Sequence, residues 1–336
     1  MLGYLYGSSK FIEELVVMFE HILLPLDGSS LAERVLPHAV ALANAFDARL
    51  TLLRVVYRKK KANQHGMVNP MDWQMRKSEA EAYLKALKDR LADIDLDSDI
   101  QILEGNPAQQ IIEFSRHEEV ELIIMSSHGS SGLSQWNINS VVQKVLLKAF
   151  MPVMIIRSYQ EIKMELEGLT YERLLLPMDG SKRAECILPL AKSIAAVHNS
   201  KIFLTHIVEE PKLPRQTPLG DDVRKLVTRL REINIDESEE YLNNLVNHFE
   251  NREVETIIES SKQPTIALHN VVDREKIDLV LLSAHGYSGE NRWPYGKIAL
   301  NFIVYGTTPL LIIQDLSQNE VVKSLAEKYA EQSKGH

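Results

Sequence analysis

Ile22–Ser30 reads ILLPLDGSS, and Leu174–Lys182 reads LLLPMDGSK, an offset of 152 residues (22 to 174). A branched apolar run that ends in Asp-Gly-Ser is a buried strand passing into a tight turn. The recurrence extends outward from this pair. LPHAVALA at Leu36–Ala43 returns as LPLAKSIA at Leu188–Ala195, and RLTLLRVV at Arg49–Val56 returns as KIFLTHIV at Lys201–Val208, at the same offset. VELIIMSSHGSSG at Val120–Gly132 returns as IDLVLLSAHGYSG at Ile277–Gly289, and MPVMIIR at Met151–Arg157 returns as TPLLIIQ at Thr308–Gln314. The offset there is 157 (120 to 277), so the second copy carries five extra residues between its second and fourth strands. Five matches in one order identify a duplicated domain, and the long period excludes a solenoid.

Within a copy, apolar strands alternate with amphipathic helices. The first copy predicts strands over Ile22–Leu26, Leu50–Val56, Asp99–Leu103, Glu121–Met125 and Val153–Arg157. Trp73, Ala80, Leu84, Leu87 and Leu91 fall on one helical stripe that faces a sheet. Pro37 and Pro189 stand inside helical patterns, where each either opens its helix or kinks it. Strand–helix alternation with near-continuous apolar strands means buried parallel sheets. The expected fold is therefore α/β: two tandem Rossmann-like, doubly wound domains, each with a five-stranded parallel sheet. The expected boundaries are an N-terminal extension at 1–17, domains at 18–158 and 173–316, a polar linker at 159–172, and an amphipathic helical tail at 317–336. Met18 stands directly before the first strand and would make a natural start.

Composition narrows the function. The 336 residues are 45% hydrophobic and 25% charged, with a net charge of −8, which fits a soluble globular chain. An acidic surface argues against nonspecific binding to nucleic acid or anionic membrane. The one notable basic run is RKKK at Arg58–Lys61. The single cysteine, Cys186, excludes an intramolecular disulfide and any multi-cysteine metal site. A reducing cytoplasm is the natural compartment, and no apolar run reaches the roughly 18 residues of a membrane span.

Ligands of open parallel sheets bind beyond the carboxyl ends of the strands, where the winding reverses. Three segments converge there in each copy: Asp27 or Asp179 after strand one, Val55 or Ile207 near the end of strand two, and the His-Gly loop after strand four. Gly129 and Gly132 can take positive φ and allow close backbone approach. Ser130, Ser131, Ser134 and Ser140 add hydroxyl donors, and the following helix offers free N–H groups to an anion. An adenine nucleotide suits this geometry, its base between strands one and two and its phosphates over the loop.

The LLPLDGS turn, the SSHGSSGL loop and the PVMII strand resemble the universal stress protein family, here as a tandem member of the adenine nucleotide alpha hydrolase-like fold. The resemblance implies ATP, AMP or another adenine nucleotide as ligand, with Mg only in its company. It also implies the loop pattern G-x2-G-x9-G-[S/T]. That pattern falls on Ser126, Gly129, Asn139 and Ser140 in the first copy, and on Ser283, Gly286, Gly296 and Lys297 in the second. Asparagine tolerates the left-handed conformation better than most residues, which makes Asn139 the mildest replacement for glycine. Ser126 adds a Cβ where a ligand approaches. Lys297 and Arg292 bring phosphate-binding charge to the second copy, whereas Trp293 adds bulk and Pro294 removes an N–H. His128 and His285 are expected to order their loops. The family further implies an internal pseudo-dimer through the fifth strands, Val153–Arg157 against Leu310–Gln314, with an unidentified regulatory protein as partner and room for a homodimer.

Walker, dinucleotide, zincin and hydrolase-elbow motifs are absent. The expected function is a stress-response binding protein, not an enzyme. Two other readings stay open: a scaffold that has lost its ligand, and a slow ATP hydrolase.

Overall fold

The computed structural model describes residues 19–57, 70–129, 138–157, 165–211, 220–286 and 295–315. The extension at 1–17, the RKKK run, Ser130, Ser131, Gly132 and Ser134, Arg292 to Pro294, and the tail from Ser317 lie outside them.

The first half contains β1 (His21–Pro25), α1 (Leu36–Phe46), β2 (Arg49–Val56), α2 (Pro70–Ala92), β3 (Ser98–Glu104), α3 (Pro107–His117), β4 (Leu122–Ser126), α4 (Ser140–Leu146) and β5 (Val153–Ile156). The second contains β6 (Arg173–Pro177), α5 (Lys182–Glu185), α6 (Leu188–His198), β7 (Lys201–Glu209), α7 (Asp221–Val246), β8 (Val254–Ser261), α8 (Pro264–Arg274), β9 (Leu279–Ser283), α9 (Lys297–Tyr305) and β10 (Leu310–Ile313). Pro37 and Pro189 occupy the second position of α1 and α6, so they open their helices without kinking them.

The two five-stranded sheets are joined. The order is β3-β2-β1-β4-β5-β10-β9-β6-β7-β8, parallel within each half and antiparallel only at the seam. There Leu310 pairs with Ile155, Leu311 with Met154 and Ile312 with Val153. The seam is the expected pseudo-dimer contact, and it covers two strand edges that would otherwise be open templates.

Alternation along the strands builds one core on each face of this sheet. Ile22, Leu24, Leu50, Leu52, Leu122 and Ile124 face α1 and α2, and that cluster continues into α6 and α7. Leu23, Leu53, Ile123 and Met125 face α3 and α4, and theirs continues into α8 and α9. On α2 the expected stripe is buried against the sheet at Ala80, Leu84, Leu87 and Leu91, while Trp73, its first member, is half-buried.

Two further contacts lock the halves together. Tyr171, in the segment expected to be a polar linker, is fully buried, with its hydroxyl 2.8 Å from His38 Nδ1 and its ring edge-on to His198. Arg157, also buried, donates from Nη1 and Nη2 to the carbonyls of Ile303 and Phe302, at 3.1 and 2.5 Å. A cation of the first half thereby caps the carboxyl end of a helix in the second.

The switch point is visible in the register. β1 pairs with β4 only over Ile22 and Leu23, while its pairing with β2 continues to Pro25. Odd-numbered residues of β1 face β4, as the bond from Glu121 N to His21 O records. Pro25, which has no N–H, therefore faces the splayed crevice where no partner strand remains. Pro177 repeats the arrangement, since β6 pairs with β9 only over Leu174 and Leu175.

Candidate functional site

The turn after β1 is fixed by its own side chains. Asp27 Oδ1 accepts from Ser29 N at 3.0 Å and from Ser29 Oγ at 2.6 Å, and Asp179 repeats both distances with Ser181. Gly28 and Gly180 sit at φ +80° and +81°, which a side chain would strain. With Oδ1 engaged, each aspartate turns Oδ2 toward the His-Gly loop. A Cβ on Gly129 would stand 2.1 Å from Asp27 Oδ2, and one on Gly286 would stand 2.0 Å from Asp179 Oδ2. Carboxylate and loop glycine thus meet across the crevice in both halves.

β2 runs on past its last β1 pair, Pro25 with Leu53. Odd residues of β2 address β1, as Arg49 N donating to Glu20 O establishes, and even ones address β3, as Gly105 N donating to Val56 O establishes. Val55 therefore points its N–H and C=O into the crevice beyond the end of β1. Ile207 does the same in β7, where Lys201 N donates to Glu172 O and Ile202 N to Glu253 O. A purine edge needs one donor and one acceptor side by side, and this open stretch of strand supplies them.

The loops behave differently from expectation at two positions. Gly129 is not at positive φ, so its requirement is space for Asp27. Asn139 is not left-handed either; at φ −53° and ψ 142° it caps α4, its side chain accepting from Val141 N at 2.9 Å. Gly296, its counterpart, has φ −71° and no side-chain cap on α9. A Cβ there would meet Ala284 O at 3.4 Å and His285 Cα at 3.6 Å, an ordinary contact. Ser126 ends β4, buried and paired with Ile156, and Ser283 Oγ donates to His285 O at 2.5 Å. Ser140 and Lys297 are the exposed first residues of α4 and α9.

Both histidines are buried. His128 Nδ1 lies 3.0 Å from Ser127 Oγ. His285 is held harder: Asp315 Oδ1 accepts from its main-chain N–H at 2.9 Å and lies 2.7 Å from Nδ1, while Arg183 Nε stands 3.6 Å from Asp315 Oδ2. Cys186 lies beside this group, and burial, with the Asp315 carboxylate adding, pushes its thiol far up. It is half-buried and packs against the core.

A second ring of polar residues escaped the sequence reading although the repeat contains it. Glu33 and Tyr83 in the first half correspond to Glu185 and Tyr241 in the second, at offsets of 152 (33 to 185) and 158 (83 to 241). Tyr241 donates to Glu185 at 3.5 Å, and Arg90 pairs with Glu33 at 3.2 Å. Burial first, and then these glutamates, push both tyrosines up, so they stay protonated donors. Among the described residues no cluster of His, Cys, Asp and Glu could hold a metal ion, and no helix is long and apolar enough to cross a membrane.

Comparison with known proteins agrees with this architecture. The model of the Universal stress protein family matches residues 18–157 and again 170–314. Universal stress protein MJ0531 of Methanocaldococcus jannaschii is 28% identical over 144 residues, covering 42% of this chain and 83% of its own. The crystal structure of a universal stress protein from Archaeoglobus fulgidus covers 88% of this chain and 99% of its own, at 20% identity and a TM-score of 0.62, a likeness of fold. A universal stress protein solved in complex with cAMP covers 42% of this chain at 18% identity, with a TM-score of 0.32.

Proposed function

The chain belongs to the universal stress protein family, with two such domains in tandem, and on that premise we propose that it is a stress-response regulatory protein that binds an adenine nucleotide. One observation carries the reading. In both halves an aspartate, anchored by its own turn, touches the glycine of the His-Gly loop beside a strand whose backbone is unpaired on that side. The aspartate suits a ribose hydroxyl, the open backbone of Val55 or Ile207 suits the adenine edge, and the N-terminus beyond the loop suits phosphate.

The ligand acts by population shift: it bridges strand two to the loop and so favours one arrangement of the surface above the crevice. A regulatory protein reads that surface. Binding, not turnover, is the activity, so ATP hydrolysis that survives Asp179→Asn and Gly286→Ala belongs to a contaminant.

Isothermal titration of ligand-freed protein with ATP, ADP, AMP and cyclic AMP tests the proposal. Saturable heat with at least one of them is expected. Absence of heat and of any thermal shift at millimolar nucleotide would leave the ligand-free scaffold as the better reading.

A further inference from the structure

Resting on the nucleotide reading, we infer that the native chain binds nucleotide only in its second half, at Asp179, Ile207, Gly286, Gly296 and Lys297, and that Arg54 closes the first.

The two turns after β1 and β6 share their glycine φ and their Asp–Ser hydrogen bonds, and they differ in what stands above them. In the first half Arg54, from the overrunning end of β2, folds its guanidinium onto Gly28. A Cβ on Gly28 would lie 2.1 Å from Nη1, 2.8 Å from Cζ and 2.9 Å from Nη2. The face of Tyr83 backs the group at 5.4 Å. Nη1 is buried with no hydrogen-bond acceptor, so packing and the aromatic face hold this cation in place. In the second half the equivalent residue is His206 (54 to 206, offset 152). Its Nδ1 turns back to Met178 O at 2.9 Å, and among the described residues nothing lies within 4 Å of the Cβ position on Gly180. Among the described residues, the space over Gly28 is filled by Arg54 and its counterpart over Gly180 is not.

The phosphate ends differ in the same sense. Asn139 spends the Val141 N–H of α4 on its own side chain. Gly296 leaves the start of α9 uncapped, and the exposed Lys297 stands at its first position. Asp315 also fixes the second loop from behind through both the main chain and ring of His285. An anion thus meets a helix start with no side-chain cap and Lys297 beside it in the second half, and one whose Val141 N–H is already taken in the first.

Titration of the full-length chain with ATP, read as stoichiometry, tests this assignment. Wild type is expected to bind about one ATP per chain. Lys297→Ala is expected to weaken it about tenfold, the worth of one charged contact, and Asp179→Asn to abolish it. Arg54→Ala, and Arg54→His in imitation of the second half, are expected to raise the stoichiometry to about two, and adding Asp27→Asn to either returns it to one. Circular dichroism and thermal melting verify that each variant is folded. Two sites in wild type would overturn the inference, as would loss of binding in Arg54→Ala, which would make Arg54 a ligand contact. Binding that appears only once Arg54 is removed would also overturn it. No binding in wild type or in either Arg54 variant would instead remove the nucleotide reading itself.

Discussion

Asp179 and Gly286 come from strands that separate at the switch point, yet a single methyl group on Gly286 would lie 2.0 Å from Asp179 Oδ2. Asp27 and Gly129 repeat the relation at 2.1 Å. None of these loop glycines has positive φ, so each is glycine because a carboxylate occupies the place of its side chain. The duplication preserved this contact while the surrounding loop residues diverged.

Gly286→Ala must therefore push the carboxylate off its hydrogen bonds with Ser181. A stability loss of about 1–2 kcal/mol is expected, in the range of overpacking with a lost charged hydrogen bond. The cost should shrink in the Asp179→Ala background, with a coupling on the order of 1 kcal/mol in a urea double-mutant cycle. Additive effects would mean that the two residues do not touch.

The uncapped α9 permits a test in which stability and binding move in opposite directions. Gly296 has ordinary contact distances for a Cβ, so Gly296→Asn should cap α9 as Asn139 caps α4. The unliganded protein is expected to gain a few tenths of a kcal/mol. ATP affinity should fall because the new side chain takes an N–H that phosphate would use. A variant of unchanged or tighter affinity would show that the helix end does not meet the ligand.

Arg157 joins the halves through the carbonyls of Phe302 and Ile303, and Gly306 makes room for it: a Cβ there would lie 2.5 Å from Phe302 O and 3.0 Å from Arg157 Nη2. Arg157→Met should cost about 1–3 kcal/mol, as for a buried charged hydrogen bond removed. Gly306→Ala should cost a similar amount and add little to Arg157→Met. Urea unfolding of the single and double variants measures both. A neutral Arg157→Met would leave the coupling to the β5–β10 ladder and the Tyr171–His38 contact.

Acid stability follows from His38. Burial lowers its pKa to about 3 from an ordinary 6.5, so the folded state keeps it neutral while the unfolded chain protonates. Its contribution is fully present above pH 6.5 and is lost progressively as pH falls toward 3, on the order of a few kcal/mol in all. Asp278 acts in the opposite sense. Burial raises it to about 6, against bonds from Glu172 N and Arg173 N, so stability falls as pH rises from 3.8 to 6. Urea midpoints between pH 4 and 7 should rise more steeply with pH in Asp278→Asn than in wild type, and flatten in His38→Gln. Identical slopes in all three would contradict both assignments.

Much of the fold was legible because it rests on patterns that burial enforces. Ile22–Leu26 and Leu174–Pro177 could only be interior strands, and the ordered recurrence of five segments made the second domain follow from the first. Tyr171 was not legible: amid YQEIKMELEGLTYE it reads as linker, and its burial depends on His38 and His198, both distant in sequence. At the site, the aspartates, the strand-two positions and the loop glycines were read in place. Their reasons were not, because Gly129 is dictated by Asp27 rather than by its own backbone. Arg54 and Asp315 were missed for a related reason. They lie outside the family's loop pattern, and their effect depends on which way a side chain folds at a strand end. Glu33 and Glu185 were recoverable from the 152-residue repeat, whereas Tyr83 and Tyr241 stand 158 residues apart, at neither repeat offset, and their pairing needed the fold.

Hydrogen exchange of the full-length chain with and without saturating ATP, read by mass spectrometry, separates one nucleotide site from two. Slowed exchange is expected in peptides spanning Met178–Ser181, His206–Val208 and Gly296–Ile298, with no change over Leu26–Ser29, Arg54–Val56 or Asn139–Val141. Protection absent from both sets, or present only in the first-half peptides, would contradict it.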